Sequence, residues 1–464
     1  MQGMRGEGEG RGHTRGVETL LGDPKAAIRS ISGPMMVAML VMTLYNVADA
    51  FWVSGLGPDA LAAIGFVFPF FFLFIGFANG IGVGGGSAVA RAIGAQDRVR
   101  AERTAQHTLI IMAVVAAAVS IPLLLTANTV FSLLGAGTAA TPAAEYGSII
   151  YLGAIFLFFS LVANALFRGE GDAKRPMYAM ALTSVANILL DPLFIYGFNM
   201  GIAGAAWASV LSMIASSLIM LYWMVVKKDT FLSYSFKGFS YDSTITRGIL
   251  NVGLPASVEQ VSMAVRTLFV NGIIVIVAGS AGVAVASVGL RVVGIAVTPL
   301  IAISSAVVPV AGAAFGARMY TKMDIAHRYS IKIGFLIAVC LSALTFLFSS
   351  QIAALFTLSG SAETLTPDIV TFLMIMCLFY PGVPFGMFSV SLLQGAGKGI
   401  QALLITVLRA IIFNVIFAWI FAVSFGMGLA GVWWGIVAGD IAGDAIGFVW
   451  ARFFIRALVR EAGS

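Results

Sequence analysis

Long apolar stretches constrain this chain more than any other feature of its sequence. They run for about 20 residues or more, the length that an α-helix needs to cross a bilayer. They lack the alternation of apolar and polar residues that is typical of a membrane β-barrel. Only 10% of the residues are charged, against about 25% in a typical soluble domain. The sequence therefore predicts an all-α integral membrane protein.

Polar or Gly/Pro-rich breaks divide the chain into twelve predicted transmembrane helices, which we call spans 1 to 12. Several exceed the length needed to cross a bilayer, so we expect them to be tilted or bent. In chain order they cover residues 27–54, 60–90, 105–127, 144–167, 177–197, 202–226, 245–278, 283–315, 327–349, 366–393, 400–423 and 429–453.

The basic residues are distributed unevenly between the two sides of these spans. Of the 27 lysines and arginines, 24 lie on one side, in the termini, in the connections or in the span ends next to them, and the opposite connections contain none. By the positive-inside rule we expect a multi-pass protein of the plasma membrane with both termini in the cytoplasm. The remaining three, Arg266, Arg291 and Arg409, lie inside predicted spans.

The chain is an internal duplication with a period of about 225 residues. The matching segments are AVARAIGAQD (88–97) with AGAAFGARMY (311–320), LFRGEGDA (166–173) with LLQGAGKG (392–399), and GIAGAAWASV (201–210) with GLAGVWWGIV (428–437). Six spans per copy give both copies the same orientation in the membrane, a common construction among transporters. The sequence therefore predicts two pseudo-symmetric six-helix bundles with a solute cavity between them.

The duplication also sets the predicted domain boundaries. We expect a cytoplasmic amino-terminal tail at 1–26, an N-lobe at 27–226, a cytoplasmic linker at 227–244, a C-lobe at 245–453 and a cytoplasmic tail at 454–464.

Two carboxylates, Asp49 in span 1 and Asp191 in span 5, lie deep inside apolar stretches of the first copy. An ionised carboxylate at such depth is costly, so it indicates a functional site. Asp49 aligns near Val270 and Asn271 in the second copy, and Asp191 aligns with Ala418. Because only the first copy carries both acids, we interpret them as specialised chemistry rather than as part of the shared architecture.

Further oxygen-bearing side chains lie at a similar depth. They are Tyr45 and Asn46 on the same face of span 1 as Asp49, Asn187 four residues before Asp191 in span 5, and Ser209 in span 6. Oxygens from three helices at one level can bind a small hard cation or hold protons. The alternative is structural: Asp191 precedes Pro192 and caps a helix break, and Asp49 bonds to backbone.

The segments YNVADAFWVSGLG, FRGEGDAKRP and NILLDPLFIYG resemble the corresponding segments of the multidrug and toxic compound extrusion (MATE) family, in particular its prokaryotic DinF-like branch. The resemblance extends over nearly all of the chain after about residue 16. It implies two six-helix bundles in a V shape. It also implies export of amphiphilic, often cationic, organic compounds by antiport against H⁺ or Na⁺.

The same resemblance implies roles for individual residues. The cation site of similar proteins, which would take H⁺ or Na⁺, falls here on Asp49, Asn187 and Asp191, with Ser209 where Thr is usual. The surrounding polar network falls on Tyr45, Asn46 and Asn164. Some other MATE branches place ion-binding carboxylates in helices 7 and 10, whereas span 10 of this chain has no acid after Asp368.

Two other sets of residues are candidates for a substrate cavity. The charged set contains three acids and three bases within the spans of the second copy: Glu259, Arg266, Arg291, Arg409, Asp440 and Asp444. These side chains either neutralise one another in ion pairs that fix the bundle, or line the cleft and contact the solute. The methionine set is Met35, Met39 and Met42 in span 1, whose flexible thioethers suit varied apolar shapes as well as ordinary packing.

A lipid or lipid-linked saccharide flippase of similar fold is the alternative function, with the arginines of the second copy binding phosphate. We expect no enzyme and no cofactor, because no nucleophile–base pair, metal spacing or nucleotide motif is visible. The expected partners are membrane lipids and amphiphilic small molecules, with no nucleic acid, and we expect a monomer.

Overall fold

The computed structural model describes residues 14–227, 229–357 and 364–463, and these residues form helices and connections without any β-strand. The helices are α1 (Arg15–Leu21), α2 (Pro24–Ser54), α3 (Pro58–Gly94), α4 (Arg98–Leu133), α5 (Ala140–Gly169), α6 (Lys174–Pro192), α7 (Gly201–Leu221), α8 (Ser243–Gly316), α9 (Tyr320–Leu347), α10 (Ser349–Phe356), α11 (Thr366–Met376), α12 (Val383–Gly395), α13 (Gly399–Val407), α14 (Asn414–Trp419) and α15 (Gly428–Gly463). Single π-helical turns extend α6, α7, α13 and α14, so that α13 and α14 form one continuous crossing.

The number of membrane crossings agrees with the predicted twelve. Ten helical segments in the described ranges are long and apolar enough to cross a bilayer, and α11 with α12 forms an eleventh crossing that is bent by 54°. The 74 residues of α8 would extend roughly 110 Å if they were straight, far more than the ~30 Å hydrocarbon core. Gly279, with φ 63° and ψ −156°, interrupts α8, and we therefore count two crossings there.

Short polar signals at one end of the bundle start several of the helices. Asp23 accepts hydrogen bonds from two backbone amides at the start of α2, each at 3.2 Å. At the start of α4, Asp97 accepts one such bond at 2.9 Å, and at the start of α8, Asp242 accepts two, at 2.8 and 3.4 Å. A side-chain oxygen at this position satisfies an amide that lacks a partner within the helix. The starts of α2, α4 and α8 lie at the same end of the molecule. We call it the basic end because its connections hold most of the lysines and arginines.

The two halves of the chain, before and after residue 228, share one continuous apolar core. Their main contact lies between α3 and α8. Glycines allow these helices to approach closely, because a β-carbon on Gly80 would lie 2.6 Å from the Gly253 carbonyl oxygen and one on Gly84 would lie 2.5 Å from the Ile249 carbonyl oxygen. Small residues of this kind are typical of close helix contacts in membranes.

The linker between the halves is held at the basic end by Glu170, which directly follows α5. Its carboxyl accepts hydrogen bonds from the backbone amides of Phe231 and Leu232, at 2.9 and 3.4 Å, and from the Tyr234 hydroxyl at 2.6 Å. Burial raises the pKa of Glu170 to about 7, although these hydrogen bonds act in the opposite direction. The connection after α5 therefore fixes the start of the linker to the first half.

The structure adds detail at three of the predicted boundaries. Residues 14–26, predicted as tail, include α1 and the start of α2, because Val17 and Leu20 form an apolar face that is buried in the core. The predicted tail 454–464 continues α15 as far as Gly463. Span 10 is broken between Phe379 and Val383, where Pro381 and Gly382 interrupt regular helix. Residues 1–13 lie outside the described residues.

Candidate functional site

The candidate cation site lies where α2, α6 and α7 meet, near the end of the bundle opposite the basic end. Asp49 comes five residues before the end of α2 at Ser54, and Asp191 lies in the last turn of α6. Asp191 is fully buried and Ser209 on α7 is 8% exposed. Because α6 packs against both α2 and α7, the structure brings the predicted side chains from three helices together.

The two carboxyl groups contact each other directly. Asp49 and Asp191 are hydrogen-bonded through their side chains. Two ionised carboxylates in direct contact repel each other strongly. Such a contact therefore requires a shared proton or a cation between them. The pair can therefore hold one positive charge, and its packing depends on whether that charge is present.

An amide and two hydroxyls complete the site. The Asn187 side chain donates to Asp191 Oδ2 at 2.8 Å, and its oxygen accepts from Ser209 Oγ and from the Ser209 backbone amide, each at 3.2 Å. We assign this orientation of the amide because it places its NH₂ group beside a carboxylate and its oxygen beside donors. The Tyr45 hydroxyl also hydrogen-bonds to Ser209. All of these groups carry oxygen atoms, and oxygen ligands suit a proton or a hard cation such as Na⁺.

Tyr146 is a further member of the site that the sequence reasoning missed. It lies near the start of α5 and interacts electrostatically with both Asp49 and Asp191. Its ring packs beside Val53 and Ile195. In the sequence it stands at the boundary of span 4, where tyrosines commonly mark the membrane–water interface. The one sequence signal that could have identified Tyr146 is its predicted depth in the membrane, which matches that of Asp49 and Asp191.

A second contact fixes the end of α2 to the turn after α6. The Tyr196 hydroxyl donates to the Trp52 backbone carbonyl at 2.6 Å, and the two rings pack edge to face at 6.3 Å. Trp52 lies three residues after Asp49, so this contact and the carboxyl pair hold the same turn of α2. A change of charge at the Asp49–Asp191 pair therefore acts on a segment of α2 that has few other polar contacts.

Two of the predicted network residues lie apart from these hydrogen bonds. The Asn46 side chain is exposed. Asn164 on α5 is 5% exposed, and its side-chain oxygen has no hydrogen-bond partner among the described residues. The methionines differ in exposure: Met35 is buried in the core, Met39 is half-buried and Met42 is 42% exposed.

In the second half of the chain, the intramembrane charges form separate pairs. Arg409 Nη1 lies 3.0 Å from Asp444 Oδ1, and the Asn414 amide donates to Asp440 Oδ1 at 3.0 Å. The Gln394 amide donates to the two oxygens of Glu259 at 3.0 and 3.3 Å.

Of the two alternatives given for these charges, pairing between the bases and the acids applies to one base. Arg409 alone forms an ion pair with one of these acids within the described chain, whereas Arg266 is half-buried and Arg291 is exposed. A position inside a span therefore did not indicate whether a base has a partner.

Comparison with known proteins agrees with this architecture. The MatE family model matches residues 34–193 and 255–420, which is most of the chain and both copies of the repeat. The chain is similar to the multidrug export protein MepA of Staphylococcus aureus, with 24% identity over 393 residues, covering 83% of this chain and 85% of that protein.

Solved structures show the same likeness at higher identity. One is described as the outward-facing conformation of a multidrug resistance MATE family transporter; it has 42% identity and a TM-score of 0.94, and the match covers 97% of this chain and 99% of that one. A transporter of Pyrococcus furiosus gives the same identity, score and coverage. These relatives are transporters and not enzymes. The match of the family model over both halves shows that this multi-pass membrane protein belongs to the MATE family of transporters.

Proposed function

We propose that this protein is a secondary active exporter of amphiphilic, often cationic, organic compounds, driven by H⁺ or Na⁺ at Asp49 and Asp191. The observation that carries this proposal is the direct contact between the fully buried carboxyl group of Asp191 and that of half-buried Asp49. The relatives named as multidrug exporters support the direction of transport and the class of solute.

The site supplies a physical basis for antiport. When one positive charge is bound, Asp49 and Asp191 can stay in contact and α2 stays packed against α6. When that charge leaves, repulsion between the carboxylates favours their separation and displaces this turn of α2. A cationic solute stabilises the separated state by supplying the missing charge. Ion and solute then favour different states, as coupled exchange requires.

The charge distribution supports an orientation for this cycle. With the basic end in the cytoplasm, the carboxyl pair lies in the outer half of the membrane. An external ion can then reach the pair when the molecule is open to the outside and displace the solute. In the opposite state the ion leaves to the cytoplasm and a new solute binds.

The experiment is transport by purified protein in lipid vesicles, with pH and sodium gradients imposed separately and a cationic dye as the solute. We expect one of the two gradients to drive dye movement in the wild type. Asp49→Asn and Asp191→Asn should reduce gradient-driven movement to the level of empty vesicles. Asp59→Asn is the matched control, because Asp59 is an exposed carboxylate in the first turn of α3 on the same side. Wild-type movement by both site variants would refute the proposal.

A second candidate is a lipid flippase, and one observation favours it. Arg266 and Arg291 lie within the membrane-spanning helix α8 and have no acidic partner among the described residues, so their guanidinium groups can meet a lipid phosphate. In that case Arg266→Gln and Arg291→Gln should abolish transfer of an anionic lipid between leaflets. The two aspartate variants should then leave lipid transfer unchanged.

A further inference from the structure

The short helix α1 contacts both halves of the molecule at the basic end. It begins after Thr14, whose hydroxyl lies 3.5 Å from the Val17 backbone amide, and its own residues divide into two faces. Val17 is fully buried and Leu20 is 5% exposed, whereas Arg15 and Glu18 face solvent. One side of α1 is therefore seated in the apolar core, although this segment reads as a polar tail in the sequence.

The start of α1 lies directly on the first half of the chain. Gly16 rests against the backbone of the connection that follows α5, and a β-carbon on Gly16 would lie 2.7 Å from the Glu170 carbonyl oxygen. A β-carbon on Gly171 would collide in turn with the Gly16 carbonyl. Only glycine at both positions allows this backbone contact without a shift of one segment.

The end of α1 is held by the second half of the chain. Lys322 on α9 donates from its ammonium group to the carbonyl oxygens of Leu21 and Gly22, at 2.6 and 3.1 Å. The last carbonyls of a helix lack partners within the helix and carry partial negative charge, so a lysine there stabilises the helix end. Since α1 also packs against α8, its second attachment involves two helices of the second half.

The two halves also touch each other directly at this end. Arg91 at the end of α3 donates to the Gly395 carbonyl oxygen at 2.8 Å. A β-carbon on Gly94 would collide with the Ala313 carbonyl, and one on Gly316 with the Arg91 carbonyl. The basic end is therefore closed in this conformation. Any state that opens it must separate these backbones and must also break one of the two attachments of α1.

We propose that α1 is a strap that fastens the two halves together at the basic end, and that it must detach from one half before this end can open. The Lys322 contact is the attachment that releases most readily. It consists of two hydrogen bonds from a flexible side chain, whereas the contact with the first half is close backbone packing beside buried Val17. This role concerns the conformational equilibrium and does not depend on which ion drives transport.

The test measures the separation of the halves at the basic end directly. Spin labels are attached at Val99 on α4 and Met319 before α9, which are 63% and 48% exposed, after Cys340 and Cys377 are replaced by serine. Distances between the labels are measured by pulsed electron paramagnetic resonance on the full chain in lipid nanodiscs. The wild type should show a short distance with a minor longer component.

Lys322→Gln should increase the longer component by roughly three- to tenfold, because it removes a charged donor. Lys332→Gln is the matched control, since Lys332 is an exposed lysine on the same helix, and it should leave the distances unchanged. Leu20→Ser, which disrupts the buried face of α1, is an independent second variant and should act in the same direction as Lys322→Gln. Unchanged distances in both Lys322→Gln and Leu20→Ser would overturn the proposal, as would an equal increase in Lys332→Gln.

Discussion

The two halves of this transporter carry an asparagine at matching positions of the repeat, Asn187 and Asn414, but the acids around them have different partners. In the first half, Asn187 supports Asp191, whose carboxyl contacts that of Asp49. In the second half, Asn414 bonds to Asp440, and Asp444 one turn further along α15 is neutralised by Arg409. An acid that contacts another acid needs a mobile positive charge, whereas an acid beside an arginine already has a permanent one.

If Asp49 and Asp191 form the proposed ion site, this difference explains how a duplicated fold can have one such site rather than two. Both halves keep a buried amide on the fifth helix of the repeat and an acid within reach of it. In the first half that acid is on the same helix as the amide, four residues later. In the second half Ala418 occupies the matching position, and the acid comes from α15. We infer that the first half supplies ion exchange and that the second half supplies a fixed wall.

The largest effect that tests this comparison is the loss of the arginine. Arg409→Met leaves Asp444 buried without its partner, and breaking a buried pair in this way costs about 3–5 kcal/mol. We expect a clearly lower Tm in detergent by thermal unfolding. Arg409→Met/Asp444→Asn should recover much of that loss, because no unpaired charge then remains, and Arg291→Gln at an exposed position serves as the control.

The same double variant also distinguishes a fixed wall from a second ion site. If the pair is structural, vesicles that contain the double variant should transport dye in proportion to the folded protein. A folded double variant without transport would show that the second half takes part in coupling, and the contrast between the halves would fail.

A smaller effect concerns pH and the basic end. Because burial raises the pKa of Glu170 from 4.5 to about 7, the folded protein binds a proton there that the unfolded chain releases. The resulting stabilisation is complete below about pH 4.5 and is lost as the pH rises through about 7; it amounts to at most about 3 kcal/mol. We expect the wild-type Tm to fall between pH 5 and 8.

Glu170→Gln should make the Tm less dependent on pH over this range, because a neutral amide cannot release the proton. Glu18→Gln, at an exposed position of α1, is the control and should keep the wild-type slope. An unchanged slope in Glu170→Gln would show that other groups at the basic end cause the pH dependence. The response would then carry no information about Glu170.

The smallest effect is expected at Ser209. Ser209→Ala removes a hydroxyl that bonds to Asn187 and Tyr45, so the amide loses one of its supports and the affinity for the coupling ion should fall by roughly five- to tenfold. Ser209→Thr keeps the hydroxyl and should stay close to wild type. Ion dependence of dye transport measures both variants. Equal behaviour of the two would show that the hydroxyl does not support the site.

The sequence predicted most of the architecture because membrane crossings follow from local composition. Apolar runs identified the crossings, and the matching segments of the two copies identified the repeat. The depth of Asp49 and Asp191 identified the centre of the site, since an acid in an apolar run is costly wherever it points. These features can be read along one segment at a time.

Contacts between segments could not be predicted in the same way. Nothing near Tyr146 in the sequence indicates that it meets the two acids. Likewise, nothing near Arg266 indicates that, within the described part of the chain, it lacks an acidic partner such as Arg409 has. The strap was missed for a related reason: α1 is only seven residues long, and only the folded structure shows that Val17 and Leu20, two of its three apolar residues, are buried. The break at Pro381 and Gly382 was also missed, although Pro followed by Gly is a local signal of a helix break.

The most direct test of the proposed exchange is whether a solute displaces an ion from the Asp49–Asp191 pair. Purified wild-type protein in detergent is mixed with tetraphenylphosphonium, and the release of protons into a weakly buffered solution, or of radioactive sodium from preloaded protein, is measured. We expect the wild type to release about one ion for each tetraphenylphosphonium bound, and Asp49→Asn or Asp191→Asn to release none. Equal release from the wild type and from both variants would contradict it.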